Sequence, residues 1–507
     1  MPFVIKDDTI AAVATPLGSG GLGVVRLSGP KAFAIASGLF RGSTPLDQCP
    51  SHTLHHGTIT EGSEILDDGV AGLFRAPRSY TGEDVVEFSC HGGAHILRRV
   101  LESCLRAGAR MADPGEFTRR AFLNGKIDLV QAEAVGDLIA ARSDAQRRLA
   151  LNALRGELSQ KIQPLRDRIL DLLAHLEAHL DFVEDEVPDL SRADIRKKIE
   201  WVTTDLTAFV AEAGPARLWR EGIKIAIVGR PNAGKSSLFN ALLKENRAIV
   251  ADVPGTTRDT LEESVVWEGI SVTLVDTAGL RETADTVERE GADRARRVLA
   301  EADVVFLVVD AGQGPLAEDR AAAQAVRDRP VVMVLNKMDL LKPRSNQGLH
   351  PGESRDEVRK SILENSDQNM DPGRSHAAFP ANAVSFRRDD GFKDWKKELG
   401  LLEAPAVFVS ALTSDGLDEL RRAALRLAGG GQEPLEPGII FNARQEQRVR
   451  ESVTALNQAV EAAKAGAPEE ILAMDIRLAL AGLNAVTGQG APEEVLDAIF
   501  SRFCVGK

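Results

Sequence analysis

The sequence predicts a multidomain fold of the mixed α/β and α class, with an N-terminal α+β domain, a discontinuous helical domain and an inserted α/β domain. Three observations support this prediction. The chain has 507 residues, which is too long for one compact core. Apolar runs such as "KIAIVG" and "DVVFLVVDA" alternate with helical segments over residues 223–427, which is typical of a mostly parallel sheet. On both sides of that region, apolar residues recur at three- and four-residue spacing.

The domain boundaries are predicted where the pattern changes. The predicted units are an α+β domain at 1–125, a first helical segment at 126–220, the α/β domain at 221–430 and a second helical segment at 431–507. The α+β domain mixes β-rich runs with two helices, near residues 31–39 and 94–107. Neither helical segment can enclose its own apolar stripe, so we expect the two to pack together as one domain. A polar stretch at about 341–400 is predicted to be a surface insertion without a known role.

Composition narrows the functional classes. No apolar run approaches the roughly 20 residues that cross a bilayer, and the acidic start "MPFVIKDDTIAAVATP" differs from a signal peptide, so we expect a cytoplasmic protein without membrane contact. The four cysteines form no C-x-x-C pair, which argues against a disulfide framework and a structural zinc site. A net charge of -13 disfavours non-specific nucleic-acid binding, so such a partner requires a local basic patch or a second protein.

The segment "KIAIVGRPNAGKSSLFNAL" contains a phosphate-binding loop. Gly229, Gly234, Lys235 and Ser236 match G-x-x-x-x-G-K-[ST], directly after a predicted strand and before a predicted helix. The glycines let backbone N–H groups converge on phosphates, the lysine brings a positive charge to the outer phosphates, and the serine hydroxyl can ligate Mg²⁺. The pattern in this context predicts a nucleotide site.

Three further motifs follow in the order expected for a GTP site. "DTAG" at 276–279 ends a predicted strand and brings Asp276 near the metal. "NKMD" at 336–339 ends another strand, and its Asp339 suits guanine because a carboxylate can accept two donors from guanine but only one amino group from adenine. "SAL" at 410–412 supplies a backbone contact to the base. This set resembles the translation-factor-like GTPases and predicts a Ras-like P-loop G domain.

Leu280 occupies the position where Ras-like proteins have the glutamine that orients the attacking water. A leucine side chain cannot hydrogen-bond water, so other residues must organise hydrolysis. The nearby candidates are Thr256, Thr257, Arg258, Arg281, Glu282, Glu288 and Glu290.

The resemblance to one family extends over nearly the whole chain. "GRPNAGKSS", "PGTTRD" and "DTAGLRETADTVEREG" resemble the MnmE (TrmE) family of tRNA-modifying GTPases. So do "DTIAAVATPLGSGGLGVVRLSG", "SYTGEDVVEFSCHGGAHIL" and "PGEFTRRAFLNGKIDLVQAEAV" nearer the N-terminus, and the closing "FCVGK". Because ribosome-assembly GTPases share the nucleotide motifs, the N-terminal segments and the tail make the resemblance specific.

The resemblance implies potassium-dependent GTP hydrolysis driven by dimerisation of the G domains, with Glu288 positioning the attacking water. The implied Mg²⁺ ligands are Ser236 and Thr257. The implied K⁺ ligands are Asn232, Ala251, Val253 and Thr256. The implied GTP-binding residues are Asn232, Ala233, Gly234, Lys235, Ser236, Ser237, Ala251, Thr256, Thr257, Asp276, Thr277, Ala278, Gly279, Asn336, Lys337, Asp339, Ser410, Ala411 and Leu412. Ala251 departs from a threonine in the family, which a backbone ligand tolerates.

The resemblance also implies partners and a second ligand. The chain is expected to form a homodimer and, with the FAD- and NADH-dependent MnmG protein, a heterotetramer or larger assembly that adds an aminomethyl or carboxymethylaminomethyl group to the wobble uridine of tRNA. The one-carbon unit comes from 5-formyl-tetrahydrofolate or a related folate. The matching folate positions are Arg26, Glu87, Lys126 and Lys507.

Other interpretations stay open from the sequence. The shared nucleotide motifs also suit a GTP-dependent RNA-binding switch in ribosome assembly without modification chemistry, and a third interpretation is a folate-binding protein with a regulatory GTPase. Cys504, in the tail after the predicted helix "APEEVLDAIFSRF", fits either a reactive thiol near the one-carbon carrier or a small buried residue.

Overall fold

The computed structural model describes residues 8–16, 18–181, 192–212, 216–244, 262–276, 297–340, 391–429 and 441–507. The strands are β1 Ile10–Val13, β2 Gly23–Ser28, β3 Phe40–Gly42, β4 Thr53–Glu61, β5 Glu64–Phe74, β6 Val85–Cys90, β7 Arg110–Met111, β8 Ile223–Val228, β9 Glu262–Trp267, β10 Ile270–Asp276, β11 Val304–Asp310, β12 Val331–Asn336 and β13 Ala406–Phe408. The helices are Ala32–Leu39, Ala94–Arg106, Glu116–Leu123, Leu129–Ala140, Asp144–Leu154, Glu157–Asp181, Arg192–Glu212, Ala216–Glu221, Lys235–Lys244, Ala317–Val326, Gly391–Glu398, Leu417–Ala428, Ala443–Lys464, Glu469–Thr487 and Glu493–Phe500.

The first sheet has the order β3-β4-β5-β6-β2-β1-β7 and is antiparallel except for the pair of β1 and β7. Side chains alternate between its two faces. Val25 and Leu27 therefore point into a buried core with the helices Ala32–Leu39 and Ala94–Arg106. Arg26 points to the opposite face, directly across from Glu87 of β6. This register brings two of the predicted folate residues together.

The two helical segments share one hydrophobic core. Ile162 and Leu206 from the first segment and Leu456 and Ile476 from the second are fully buried in the same cluster. The expected packing of the two segments against each other is therefore confirmed, while the exact domain boundaries stay predictions.

The inserted domain is built on a sheet of order β13-β12-β11-β8-β10-β9, parallel except for the edge pair of β9 and β10. Apolar side chains of β11 and β12 are buried on both faces, in two clusters that also contain helix residues. This is the pattern predicted for a mostly parallel sheet covered on both sides. The carboxyl ends of β8, β10, β11 and β12 lie along one edge, where ligands bind in such sheets.

The helix Leu129–Ala140 connects both ends of the inserted domain to the helical core. Asp137 makes two hydrogen bonds with Arg220, at 2.9 and 2.7 Å, just before β8. Glu133, one turn earlier, makes two with Arg444, at 2.9 and 2.8 Å, just after the inserted domain. Among the described residues, no helix is long and apolar enough to cross a membrane.

Candidate functional site

The phosphate-binding loop joins β8 to the helix Lys235–Lys244, as the motif predicts. Gly229 has a φ of +149°, and an added Cβ would lie 2.4 Å from the carbonyl oxygen of Val308. Gly234 has a φ of +94°, and a Cβ there would lie 2.3 Å from Asn336 Nδ2. A Cβ at Gly229 would clash with the backbone of β11, and one at Gly234 would overlap the Asn336 side chain, so both positions favour glycine.

The end of β10 meets the first turn of the helix after the loop. Ser236 Oγ donates to Asp276 Oδ2 at 2.9 Å, and the Asp276 side chain is buried. A hydroxyl and a carboxylate are the oxygen donors that Mg²⁺ prefers. The buried Lys235 donates from Nζ to the carbonyl oxygen of Arg230, at 2.9 Å, inside the loop. The pair and the lysine therefore suit a magnesium-bound nucleotide phosphate.

The base-binding motifs meet at the ends of β12 and β13. Asn336 donates from Nδ2 to the carbonyl oxygen of Ala233 at 3.1 Å and accepts the Ala411 N–H on Oδ1 at 3.2 Å. Ser410 donates to Asp339 Oδ1 at 2.6 Å, and Asp339 is exposed. The structure thus brings together three motifs that are far apart in sequence, with the Asp339 carboxylate at the surface. Leu412 is 82% exposed beside them.

Eight residues of the predicted nucleotide site lie outside the described residues. They are Ala251, Val253, Thr256, Thr257, Thr277, Ala278, Gly279 and Glu288. The alternative catalytic candidates Arg258, Arg281, Glu282 and Glu290, with Leu280, lie there too. Their roles stay predictions.

A second group of predicted residues meets on the first sheet. Arg26 donates from Nε to Glu87 at 2.7 Å and from Nη1 to the carbonyl oxygen of Gly506 at 3.3 Å, although Gly506 is 480 residues away. The guanidinium also lies 5.8 Å from the ring centroid of Tyr80 and 5.6 Å from that of Phe117. The C-terminal tail therefore reaches the predicted folate residues within a single chain.

The remaining folate candidates lie around the same surface. Lys126 donates from Nζ to the carbonyl oxygen of Pro77 at 3.0 Å, in the loop that carries Tyr80. Lys507 is half-buried and its N–H donates to the Cys504 carbonyl oxygen at 3.3 Å. Cys504 itself is exposed, which argues against the alternative of a small buried residue. The carbonyl oxygen of Gly506 accepts a hydrogen bond from Arg26, and that of Cys504 accepts one from the Gly115 N–H. The tail docked in this way leaves the Cys504 thiol exposed.

Sequence reasoning missed two residues of these sites. Tyr80 is 38% exposed and its ring lies beside Arg26, and its hydroxyl is hydrogen-bonded with Thr118 Oγ1 at 2.8 Å. It is the single tyrosine of the chain, which is the one signal that could have drawn attention to it. Asp310 is buried at the end of β11 and contacts Lys337 Nζ at 2.8 Å. No motif marks it, because the contact depends on how β11 and β12 pair.

The sheet order, the glycine-dependent phosphate loop and the assembled base-binding motifs define a Ras-like P-loop GTPase domain. A helical domain interrupted by this insertion and an N-terminal α+β domain complete the architecture.

Comparisons with known proteins agree over the whole chain. The model for the MnmE helical domain matches residues 129–504, and that for the GTP-binding protein TrmE N-terminus matches residues 9–126. The tRNA modification GTPase MnmE of Symbiobacterium thermophilum is 42% identical over 505 residues, covering 99% of this chain and 100% of the relative. That of Moorella thermoacetica is 43% identical over 513 residues, with the same coverages. The chain belongs to the MnmE family of tRNA modification GTPases.

A solved structure of Aquifex aeolicus Era bound to GDP·AlF₄⁻ shows a weaker likeness. It is 24% identical and covers 46% of this chain and 66% of that one, with a TM-score of 0.27. This value is too low to add to the family assignment.

Proposed function

We propose that this chain is a potassium-dependent GTPase that works with an FAD-dependent partner to modify the wobble uridine of tRNA with a folate-derived one-carbon unit. The main support is that one chain combines the assembled GTP motifs with family membership over 99% of its length. The convergence of Arg26, Glu87 and the C-terminal tail on the first sheet supports the folate component.

In this proposal each residue of the G domain has a defined task. Lys235 lies against the outer phosphates, and Ser236 and Thr257 hold Mg²⁺. Asn232, with Ala251, Val253 and Thr256, holds K⁺. A K⁺ ion bound by these residues would supply positive charge that offsets the negative charge developing on the phosphates, as an arginine does in other GTPases.

Glu288, which matches the water-positioning glutamate of the family, orients the water that attacks the γ-phosphate, a task for which Leu280 has no suitable group. The carboxylate accepts a hydrogen bond from that water and so holds its lone pair toward phosphorus.

The folate component of the proposal uses the surface around Arg26. Glu87 suits the donor edge of a pterin ring, and the basic side chains of Arg26, Lys126 and Lys507 suit the glutamate tail. Arg26 keeps one guanidinium nitrogen for Glu87 and another for the Gly506 carbonyl. Its charge is therefore held in place by the protein and does not have to be ordered when a carboxylate ligand binds. A bound folate would supply the one-carbon unit.

Turnover of GTP in KCl and in NaCl tests the cation requirement. We expect faster hydrolysis in KCl, since K⁺ fits a site of amide and carbonyl oxygens. Equal rates at matched ionic strength would contradict the potassium site.

Glu288→Ala should lower the catalytic rate about 100-fold or more while GTP affinity is retained. Glu290→Ala is the matched control.

Nucleoside analysis of tRNA separates modification from a ribosome-assembly switch. A strain without this gene should lack the aminomethyl-type group on the wobble uridine, and the intact gene should restore it. Normal wobble uridine together with accumulated ribosome precursors would favour the RNA-binding switch instead.

A further inference from the structure

The backbone at Asn232 requires support from outside the phosphate-binding loop. Asn232 has a φ of +62°, in the left-handed region. For a residue with a Cβ this conformation costs about 1–2 kcal/mol, although asparagine tolerates it better than most. The direction of its side chain depends on this backbone, because φ sets where Cβ points. A contact that fixes the carbonyl group of Asn232 would help to hold this backbone in place.

Lys337 makes the contact that holds it. Its Nζ donates to the carbonyl oxygen of Asn232 at 2.7 Å, across 105 residues of sequence. Lys337 also has a left-handed backbone, with a φ of +66°, which turns its side chain back over the loop. A lysine side chain has four rotatable bonds and is costly to order. The contact therefore needs a second anchor at the ammonium group.

Asp310 is that anchor. Its Oδ2 accepts from Lys337 Nζ at 2.8 Å, and its Oδ1 accepts the Gly312 N–H at 2.9 Å. The residue is only 3% exposed, and Asp310 pairs with Asn336 in the register of β11 and β12. Burial raises the pKa of Asp310, but the hydrogen bonds from Lys337 and Gly312 and the charges of Lys337 and Arg230 outweigh it and hold the pKa below its usual value. The carboxylate is therefore charged at neutral pH.

Residues 310–319 also contact the phosphate loop at Arg230, on the N-terminal side of Pro231. Gln313 accepts a hydrogen bond from Arg230 Nη2 at 2.9 Å. Asp319 Oδ2 lies 3.1 Å from Arg230 Nε, in an ion pair whose alignment is too poor for a hydrogen bond. Residues 310–319 thus contact the phosphate loop at Arg230, where Asp310 Oδ2 also lies 3.9 Å from Nη2, and Asp310 reaches Asn232 through Lys337.

We propose that Asp310 is a positioning residue for the nucleotide site. By holding Lys337 against the carbonyl of Asn232, it sets the direction in which the Asn232 side chain is presented to the monovalent cation. The inference rests on the potassium site of the proposed function, to which it adds a residue that does not touch the ion.

The variant Asp310→Asn tests this role. The amide oxygen can still accept the Gly312 N–H, but the charge that holds Lys337 is lost. We expect the K⁺ concentration for half-maximal GTP hydrolysis to rise about tenfold, as for one lost hydrogen bond to a charged group. The Kd for GDP, measured in sodium buffer, should change less than about threefold, because the loop N–H groups, Lys235 and the Asp339 carboxylate stay in place.

Asp303→Asn is the matched control, since Asp303 lies just before β11 at its opposite end and accepts the Lys224 N–H at 2.9 Å. Asp303→Asn should change neither the K⁺ requirement nor the Kd for GDP.

Lys337→Met should raise the K⁺ requirement as Asp310→Asn does, and combining the two substitutions should raise it no further. If thermal unfolding shows that Asp310→Asn does not fold, Lys337→Met alone still tests whether the contact of Lys337 with the Asn232 carbonyl affects the K⁺ requirement.

Three results would overturn the proposal. One is an unchanged K⁺ requirement in Asp310→Asn beside a potassium-stimulated wild type. Another is an equal rise in the K⁺ requirement and in the Kd for GDP, which would indicate a general loosening of the domain. The third is an additive effect with Lys337→Met. If the wild type hydrolyses GTP equally in KCl and NaCl, the potassium site itself is absent, and this role of Asp310 with it.

Discussion

Gly506 shows how one residue decides whether the tail can dock. It has a φ of +97° and lies buried against β1, where an added Cβ would be 2.3 Å from the carbonyl oxygen of Val13. The last helix ends at Phe500, well before this glycine. Gly506 therefore allows a close approach to β1 and does not serve to end the helix.

The substitution Gly506→Ala should release the tail from the first sheet. Both the left-handed backbone and the contact with Val13 oppose a Cβ, at a cost of about 1–3 kcal/mol. Hydrogen exchange followed by mass spectrometry should show faster exchange in residues 501–507. Gly62→Ala is the control, because Gly62 also has a positive φ, of +61°, but no atom lies within 4 Å of an added Cβ. Equal tail exchange in both variants would contradict the close-approach argument.

The cysteines should differ sharply in reactivity. Burial raises the pKa of Cys90 and of Cys104 to about 12, whereas Cys504 is exposed. At pH 8, on the order of one in 10⁴ of the buried thiols is ionised. Iodoacetamide should therefore modify Cys504 first in the folded chain, and all four cysteines in guanidinium, as read by peptide mass spectrometry. Alkylation of native Cys104 at the rate of Cys504 would argue against the buried site.

At the scale of elements, the helix Leu129–Ala140 joins three regions of the molecule. Asp137 binds Arg220 before the G domain, and Glu133 binds Arg444 after it. Gly136 lies between them in sequence, and an added Cβ there would be 3.3 Å from the Phe503 ring of the tail. One helix therefore contacts both connections of the G domain and the segment that carries Lys507. A rotation of this helix would move all three contacts together.

A double-mutant cycle can measure the connection before the G domain. Asp137→Asn, Arg220→Gln and the double variant should give a coupling energy of about 1–2 kcal/mol in urea unfolding, since the pair has two hydrogen bonds but is partly exposed. The exposed pair Asp144 and Arg147, one hydrogen bond at 3.1 Å, is the control and should couple by less than about 0.5 kcal/mol. Equal coupling energies in both pairs would show that the Asp137–Arg220 pair stabilises the protein no more than an exposed surface pair does.

At the scale of the whole molecule, the chain crosses from the helical domain into the G domain and back. The two helical segments share one core, so each would expose its buried apolar residues without the other. The G domain has one cluster of its own, and the cluster on the other face of its sheet also contains Ala145 and Trp219 of the first helical segment. Neither cluster contains a described residue of the shared helical core, so the G domain should respond separately to a mutation in that core.

The substitution Leu456→Ala tests this separation. Leu456 is fully buried in the shared helical core, so its truncation should cost about 2–5 kcal/mol. In calorimetry the transition of the helical domain should move to lower temperature, while the transition that GDP raises should stay in place. Leu478→Ala, at a 56% exposed position, is the control and should shift neither by much. A single transition whose midpoint temperature falls in Leu456→Ala would mean that the domains unfold together.

The sequence alone determined the fold class and the nucleotide chemistry. Helical spacing, buried-strand runs and the phosphate loop act through local geometry, so each leaves a readable pattern within a few residues. The tertiary structure decided which distant residues meet. Arg26 contacts a carbonyl 480 residues away, and Asp310 supports Asn232 only through Lys337. Such contacts follow from strand register and from where a tail docks, and these depend on the packing of the whole chain, which no local pattern records.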